Sequence, residues 1–408
     1  MVTAGKHEGR GDQQVGINIR PPARVIRGGE VFDPVSGRFA RLDVLVADGK
    51  VARLGPAVEA PADVPELDAR GLLVTPGLVD GHVHAFRWGH LISLDVDPLS
   101  SRSGVTTFVD GGSAGSLHFM AFRKFVQERV RSNLYALLNV SAVGQMMDGI
   151  AGIEISEYDD LRFLHLSSAA EIVDANRDVI VGIKVRIHTG LPSLAPIAAA
   201  RELADTVGLP VVVHLSKAPP LFRELLPYLR AGDVVTHMYH PGPGCLVDRA
   251  GKIGPEYVEA RQRGVLFDTG SDRFHTSFPV ARAAIEQGFL PDTISTDLTL
   301  TNYRHIAIDM PTTLTKFMAF GLSLEQVLQR ATCAPARMLP ADRGHGRLAE
   351  GVIADLALFA LESGDFTYEG YFGNRLHANR RLVSRGTLRE GCVLTPEEQE
   401  PMPLSFMR

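Results

Sequence analysis

Residues 178–187 read DVIVGIKVRI, residues 194–208 read LAPIAAARELADTVG and residues 209–216 read LPVVVHLS. The first and last segments are apolar runs of strand length, rich in β-branched residues. The middle one carries Ala, Leu, Glu and Arg at helical spacing. A strand that is apolar at nearly every position is covered on both faces, and two such strands joined by a helix form a parallel βαβ unit.

The same alternation recurs on both sides of this unit. Strand-length runs are LVDGHVH (78–84), GVTTFVDGG (104–112), NLYALLNVS (133–141), DVIVGIKVRI, LPVVVHLS, DVVTHMYH (233–240), GVLFDTG (264–270) and DTISTDL (292–298). A second amphipathic segment, FPVARAAIEQGFL, fills 278–290. Eight parallel strands separated by helices suit a closed barrel, which takes about 250 residues. The doubly wound alternative has fewer strands, and its Gly-rich GxGxxG turn is missing. The fold class read from the sequence is α/β, a (β/α)8 TIM-type barrel over residues 76–344.

Residues 22–75 have a different texture, with short β-branched runs punctuated by Gly, Asp and Pro, and an ADGK hairpin turn at 47–50. β texture returns over 345–395. The expectation is that both chain ends form one small β-sandwich domain beside the barrel. Residues 1–21, rich in Gly, Gln and charge, read as a flexible N-terminal extension without the apolar core of a signal peptide.

The chain has 408 residues, is 45% hydrophobic and carries a formal charge of −5. That balance gives no reason to expect nucleic acid or an anionic membrane as partner. No stretch approaches the roughly 18 consecutive apolar residues of a membrane span. Cys245, Cys333 and Cys392 are odd in number and widely spaced, so no disulfide framework or CxxC zinc site is implied, and a reducing cytoplasm fits. The expected partner is a small-molecule substrate. Barrels with a lateral β-domain often self-associate, so a homo-oligomer is expected.

Chemistry gathers at the C-terminal ends of the strands, the catalytic face of such a barrel. Strand one ends in His82-Val83-His84. Residues two apart on a strand point the same way, so both imidazoles can face one metal. His214 and His237 end neighbouring strands five and six and could hold a second metal. Asp297 ends strand eight, beside strand one. Imidazole and carboxylate suit zinc and related divalent ions. Lys184 lies in an otherwise apolar strand. Burial lowers the pKa of an ammonium. A neutral lysine amine can take up carbon dioxide as a carbamate, which offers one oxygen to each of two metals. Each residue also has a plain structural reading: Lys184 could pair with a buried acid, and Asp297 could cap the following segment. Coincidence across strands one, four, five, six and eight favours a site.

PGLVDGHVH, then a strand lysine, then His, His and STD resembles the amidohydrolase superfamily of binuclear barrel enzymes. GVTTFVDGGSAG, VGIKVRIHTG, GLPVVVHLSKAPP, GDVVTHMYHP, RGVLFDTGSD and PDTISTDL look like its amidohydrolase/deacetylase, dihydroorotase-like subgroup. The resemblance implies that His82, His84 and Asp297 bind a more buried metal and His214 and His237 a more exposed one. It further implies that carboxylated Lys184 and a hydroxide bridge two divalent ions, zinc foremost. Asp297 and Lys184 then carry the catalysis, with Asp297 as general base. The subgroup often has a Cys-Phe-Asn-Gly-like turn after the strand-six His, where this chain has Met238-Tyr239-His240-Pro241.

Positions one rung above the ligands, Arg186, Ser216, Tyr239 and Thr299, are the candidate specificity residues. Arg186 could clasp a substrate carboxylate or pair with a loop acid. Ser271, Asp272, Arg273 and His275 follow strand seven and are candidates for the mouth, as is His240. Dihydroorotases commonly read HxHxR; here Arg87 falls one place late. Mononuclear deaminases lack the strand lysine. A small acylated substrate, deacylated at nitrogen or oxygen, is therefore the first choice, a cyclic amide the second and a deamination the third. A metal-free scaffold protein is the reading from another class, and the intact set of six ligand positions speaks against it.

Overall fold

The structure, a computed structural model, describes residues 23–145, 156–187, 191, 193–216, 222–242, 244–271, 273–397 and 399. Five short strands come first: β1 (Arg24–Asp33), β2 (Arg38–Ala47), β3 (Lys50–Gly55), β4 (Glu66–Asp68) and β5 (Leu73–Pro76). Seven strands alternating with helices follow. They are β6 (Leu78–Val83), β7 (Val105–Asp110), β8 (Asn133–Asn139), β9 (Ile180–Ile187), β10 (Val211–Leu215), β11 (Val234–Thr236) and β12 (Leu266–Phe267). The chain returns to β structure in β13 (Leu356–Glu369), β14 (Arg375–Arg389) and β15 (Cys392–Val393).

β6 to β12 form one parallel sheet in sequential order. The eighth predicted run, 292–298, joins its two edges by single parallel bridges, Asp268 with Thr293 and Val83 with Leu298. It is not a regular strand. Asp297 has φ 50°, outside the extended region. The Asp80 carboxylate stands in for part of the ladder, accepting from Thr296 N at 3.1 Å and Thr296 Oγ1 at 2.5 Å. Val212 lies two residues before His214, and Val234 two before Thr236. Both belong to a small buried cluster with Val79, Val109 and Leu137. The strand faces that end in polar groups are thus plugged by apolar residues one layer down, as in other barrels.

Both chain ends do combine. β5 pairs parallel with β1 and antiparallel with β13. The order is β15-β14-β13-β5-β1-β2-β3, with β4 on β1. This is one mixed eight-stranded sheet by hydrogen bonding, where the sequence suggested a two-sheet sandwich, because β5 joins the N-terminal strands to β13 edge to edge. Ile26, Val44, Val74, Leu356 and Leu388 make its core. No helix among the described residues is long and apolar enough to cross a membrane.

Candidate metal centre

The six positions singled out by residue type converge. His82 on β6 and His84 just beyond it are buried, with ring centroids 5.6 Å apart. Lys184, fully buried on β9, places Nζ 3.0 Å from His82 Nε2. His214 on β10 and His237 just past β11 lie 4.3 Å apart by centroid, and His237 is 5.2 Å from His82. Asp297 Oδ1 sits 3.5 Å from His82 Nε2 and 3.3 Å from His84 Nε2, and its Oδ2 sits 3.9 Å from His237 Nε2. Room for this packing comes partly from Gly112. Its φ is +87°, and a Cβ there would come within 2.5 Å of the Lys184 side chain.

Hydrogen-bond partners fix where the imidazole protons sit. Burial holds His82 and His237 well below the usual histidine pKa, so both are neutral. His237 Nδ1 lies 2.9 Å from the Gly270 carbonyl, which can only accept. The His237 proton is therefore on Nδ1, and Nε2 carries a lone pair. Among the described residues no hydrogen-bond partner reaches His237 Nε2 or Asp297 Oδ1, although both are buried. His82 Nδ1 faces Thr236 Oγ1 at 3.2 Å, and that hydroxyl donates to Asp268 Oδ2 at 2.8 Å. His84 Nδ1 faces Ser113 Oγ at 2.8 Å, and Ser113 donates to Asp110 Oδ2 at 2.8 Å. His214 differs: its Nε2 is 2.7 Å from Ser216 Oγ, which leaves Nδ1 as the ring nitrogen available.

Lone pairs and a carboxylate oxygen gathered with no hydrogen between them repel one another. A cation at their centre removes that repulsion. Zinc bonds of about 2.0–2.1 Å put neighbouring tetrahedral donors about 3.3 Å apart, which matches the 3.3 and 3.5 Å separations of Asp297 Oδ1 from the two imidazoles. His82, His237 and Asp297 form one group with donor atoms close enough to hold a metal, and His214, His237 and His275 form another. Burial also lowers the Lys184 amine to about 8. Among the described residues no carboxylate oxygen lies within ion-pair distance of its Nζ, so the alternative of a buried acid partner is not what the site contains.

His275 is the residue that the sequence placed only at the mouth. It stacks on His237 at 3.9 Å between centroids, and its Nδ1 lies 3.3 Å from Asp297 Oδ2. It arrives from the loop after β12, so no strand periodicity could have marked it. Asp110, Ser113, Thr236 and Asp268 were also passed over. Their only signal was polar residues ending apolar runs, in FVDGGS, VVTH and FDTG.

The candidate specificity residues divide. Ser216 lines the centre but is engaged with His214. Arg186 takes the loop-acid option, pairing with Glu157 at 2.9 Å. The Thr299 hydroxyl bonds Thr301 at 2.8 Å. Ser271 holds a buried hydroxyl with no hydrogen-bond partner among the described residues. His240 is buried, where burial lowers it to about 4, and its Nδ1 accepts from Gly242 N at 3.2 Å. Tyr239 is the fourth of the positions one rung above the ligands. It is fully buried, packs on Phe317 with centroids 5.9 Å apart and feels Arg261, Arg330 and Asp292. The two-residue alternation that would have aimed it at the mouth breaks at His237, whose φ is 65°. Asp272 lies outside the described residues.

The Amidohydrolase family matches residues 73–383 of the chain. A deacetylase of Brucella anthropi is 33% identical over 373 residues, covering 90% of this chain and 92% of its own. A crystal structure of a dihydroorotase superposes with TM-score 0.82 at 30% identity, covering 91% of this chain and 97% of the other. A crystal structure of an adenine deaminase gives TM-score 0.83 at 25% identity, with 91% and 98% covered. The chain belongs to the amidohydrolase family and is a hydrolase.

Proposed function

We propose that this hydrolase uses two divalent metal ions, zinc foremost, and a carboxylated Lys184 to deacylate a small acylated substrate at an amide or ester bond. The observation that carries the reading is the convergence of His82, His84, His214, His237 and Asp297 donor atoms around a buried amine. His82, His84 and Asp297 would hold one ion, His214 and His237 the other, with Lys184 as its carbamate between them. The neutral form of the amine attacks carbon dioxide, a new N–C bond forms as one C=O π bond breaks, and one proton leaves; the lowered pKa of Lys184 raises the share of that neutral form. Ions held by these residues would supply hydroxide near neutral pH and would polarise a carbonyl oxygen.

Asp297 is the proton carrier. Burial alone would raise its carboxyl, but the imidazoles of His275 and His84 beside it outweigh burial and hold it well below the usual range. It takes the proton of the attacking water and delivers it to the departing nitrogen or oxygen. His275, 3.3 Å from Asp297 Oδ2, keeps that carboxylate aimed. Ser271, with its buried unbonded hydroxyl, is the group placed to meet the substrate.

Arg87 bears on the choice between acyl and cyclic amide substrates. It is buried, donates to the Ser93 carbonyl at 3.3 Å and lies 3.7 Å from Asp95. A guanidinium engaged with its own loop is a poor clasp for the carboxylate of a cyclic amide. The deacetylase relative supports the acyl reading further. The test is a kinetic screen of the zinc-loaded protein against N-acyl and O-acyl carboxylates, dihydroorotate, hydantoins and adenine. Turnover of an acylated substrate at least tenfold above all cyclic amides and adenine is expected. Preference for a cyclic amide overturns the deacylase assignment and puts the cyclic amidase in its place.

A further inference from the structure

Asp268 follows β12 and is buried. Its two carboxylate oxygens accept from Thr236 Oγ1 at 2.8 Å, Ser295 Oγ at 2.5 Å, Thr293 Oγ1 at 2.7 Å and Gly270 N at 3.1 Å. Three of these donors meet Oδ2 and one meets Oδ1, so the side chain acts as an acceptor toward all four. Two of them lead on to the metal centre. Thr236 has one hydroxyl hydrogen and gives it to Asp268, so its oxygen can only accept from His82 Nδ1. The Gly270 peptide donates its N–H to Asp268 and accepts from His237 Nδ1 through its carbonyl. Gly270 has φ +46°, and a Cβ there would come within 2.3 Å of His237 Nδ1, so the second arm needs glycine.

We infer that Asp268 is a positioning residue that sets the orientation and tautomer of both His82 and His237, through the Thr236 hydroxyl on one side and the Gly270 peptide on the other. One carboxylate outside the donor set thus couples imidazoles assigned to two different ions. Partners of this kind fix which ring nitrogen is metallated, and their loss typically weakens metal binding by about 10–100-fold. The metal part of the inference rests on the function proposed above; the tautomer part does not.

The test combines two readouts on Thr236→Val, Thr236→Ser and Asp268→Asn. The first is nitrogen NMR of ring-labelled histidine in metal-free protein, with His82 and His237 assigned from their Asn variants. The second is zinc affinity by chelator competition. Wild type should show both rings protonated at Nδ1. Thr236→Val should move His82 toward the Nε2–H form, leave His237 unchanged and weaken one zinc by about 10–100-fold. Thr236→Ser should restore both readouts. Asp268→Asn should disturb both rings. An unchanged His82 ring in Thr236→Val overturns the inference, as does an Asp268→Asn protein with both rings as in wild type. If Asp268→Asn fails to fold, the Val and Ser variants decide between the two outcomes. Wild type that binds no zinc sinks the proposed function, and the ring spectra alone then decide the role of Asp268.

Discussion

Among the described residues two lysines are buried, in different regions and with different company. Lys184 lies on β9 inside the barrel; Lys316 lies on the helix Met310–Ala319, against β14. Burial lowers both amines to about 8. Lys316 donates to the Ile306 carbonyl, feels Asp309 and lies 6.0 Å from the Tyr368 ring centroid. Its surroundings accept hydrogens, as befits an amine that braces a loop. Lys184 also has an acceptor, the lone pair of His82 Nε2 at 3.0 Å, but that imidazole belongs with His237 and Asp297 to a group whose donor atoms lie close enough to hold a metal ion. A lowered pKa therefore does not mark a functional lysine. The neighbours decide, and those of Lys184 are groups that bind cations.

The largest expected effect comes from breaking this contrast. Lys184→Ala should lower kcat/KM by at least about 10⁴-fold if Lys184 forms the proposed bridge between two ions. Lys316→Met should leave kcat/KM within about threefold, since it removes a structural contact only. Similar losses in both variants would erase the distinction. Next is Asp297→Asn, which retains an oxygen but not a base. A fall in kcat of about 10²–10⁴-fold, with metal still bound, is expected for a lost proton carrier. Steady-state kinetics alongside elemental analysis measures it.

Lys316 also predicts a pH dependence of stability. Its folded pKa of about 8 lies below the ordinary 10.5, so between those values the unfolded chain holds a proton that the folded chain lacks. Stability should rise with pH through that window, by up to about 3 kcal/mol, and the cost is fully present below pH 8. Denaturant unfolding of wild type and Lys316→Met from pH 7.5 to 10.5 should show a shallower rise in the variant. Parallel curves would remove Lys316 from the account. The smallest effect belongs to Tyr239→Phe. Its hydroxyl is buried with no hydrogen-bond partner, so activity should stay within about twofold and stability should rise by about 1 kcal/mol. A large fall in kcat/KM would return Tyr239 to the substrate.

Much of the fold was legible because barrel strands are apolar along their whole length, and VIVGIKV or VVVHL leaves little choice. The eighth run misled in detail, since a left-handed backbone at Asp297 and a ladder replaced by Asp80 cannot be read from DTISTDL. The β texture of both chain ends was legible, but the edge pairing of β5 with β13 that makes one sheet is a long-range contact with no local signature. For the site, histidine, lysine and aspartate at the ends of apolar strands stood out by type. Residues that act through others did not: Thr236 and Asp268 look like the ordinary close of a strand. Tyr239 failed because the alternation used to place it stops at His237. His275 comes in on a loop, where no period applies.

The central claim, a pair of ions bridged through Lys184, is tested most directly by counting metal. Wild type and Lys184→Ala would be produced with zinc and bicarbonate, freed of loosely bound ion and submitted to elemental analysis. About two zinc per chain in wild type, falling below one in the variant, is the predicted result for a bridging carbamate. One zinc per chain in both proteins would contradict it, make Lys184 a structural residue and leave a mononuclear centre at His82, His84 and Asp297.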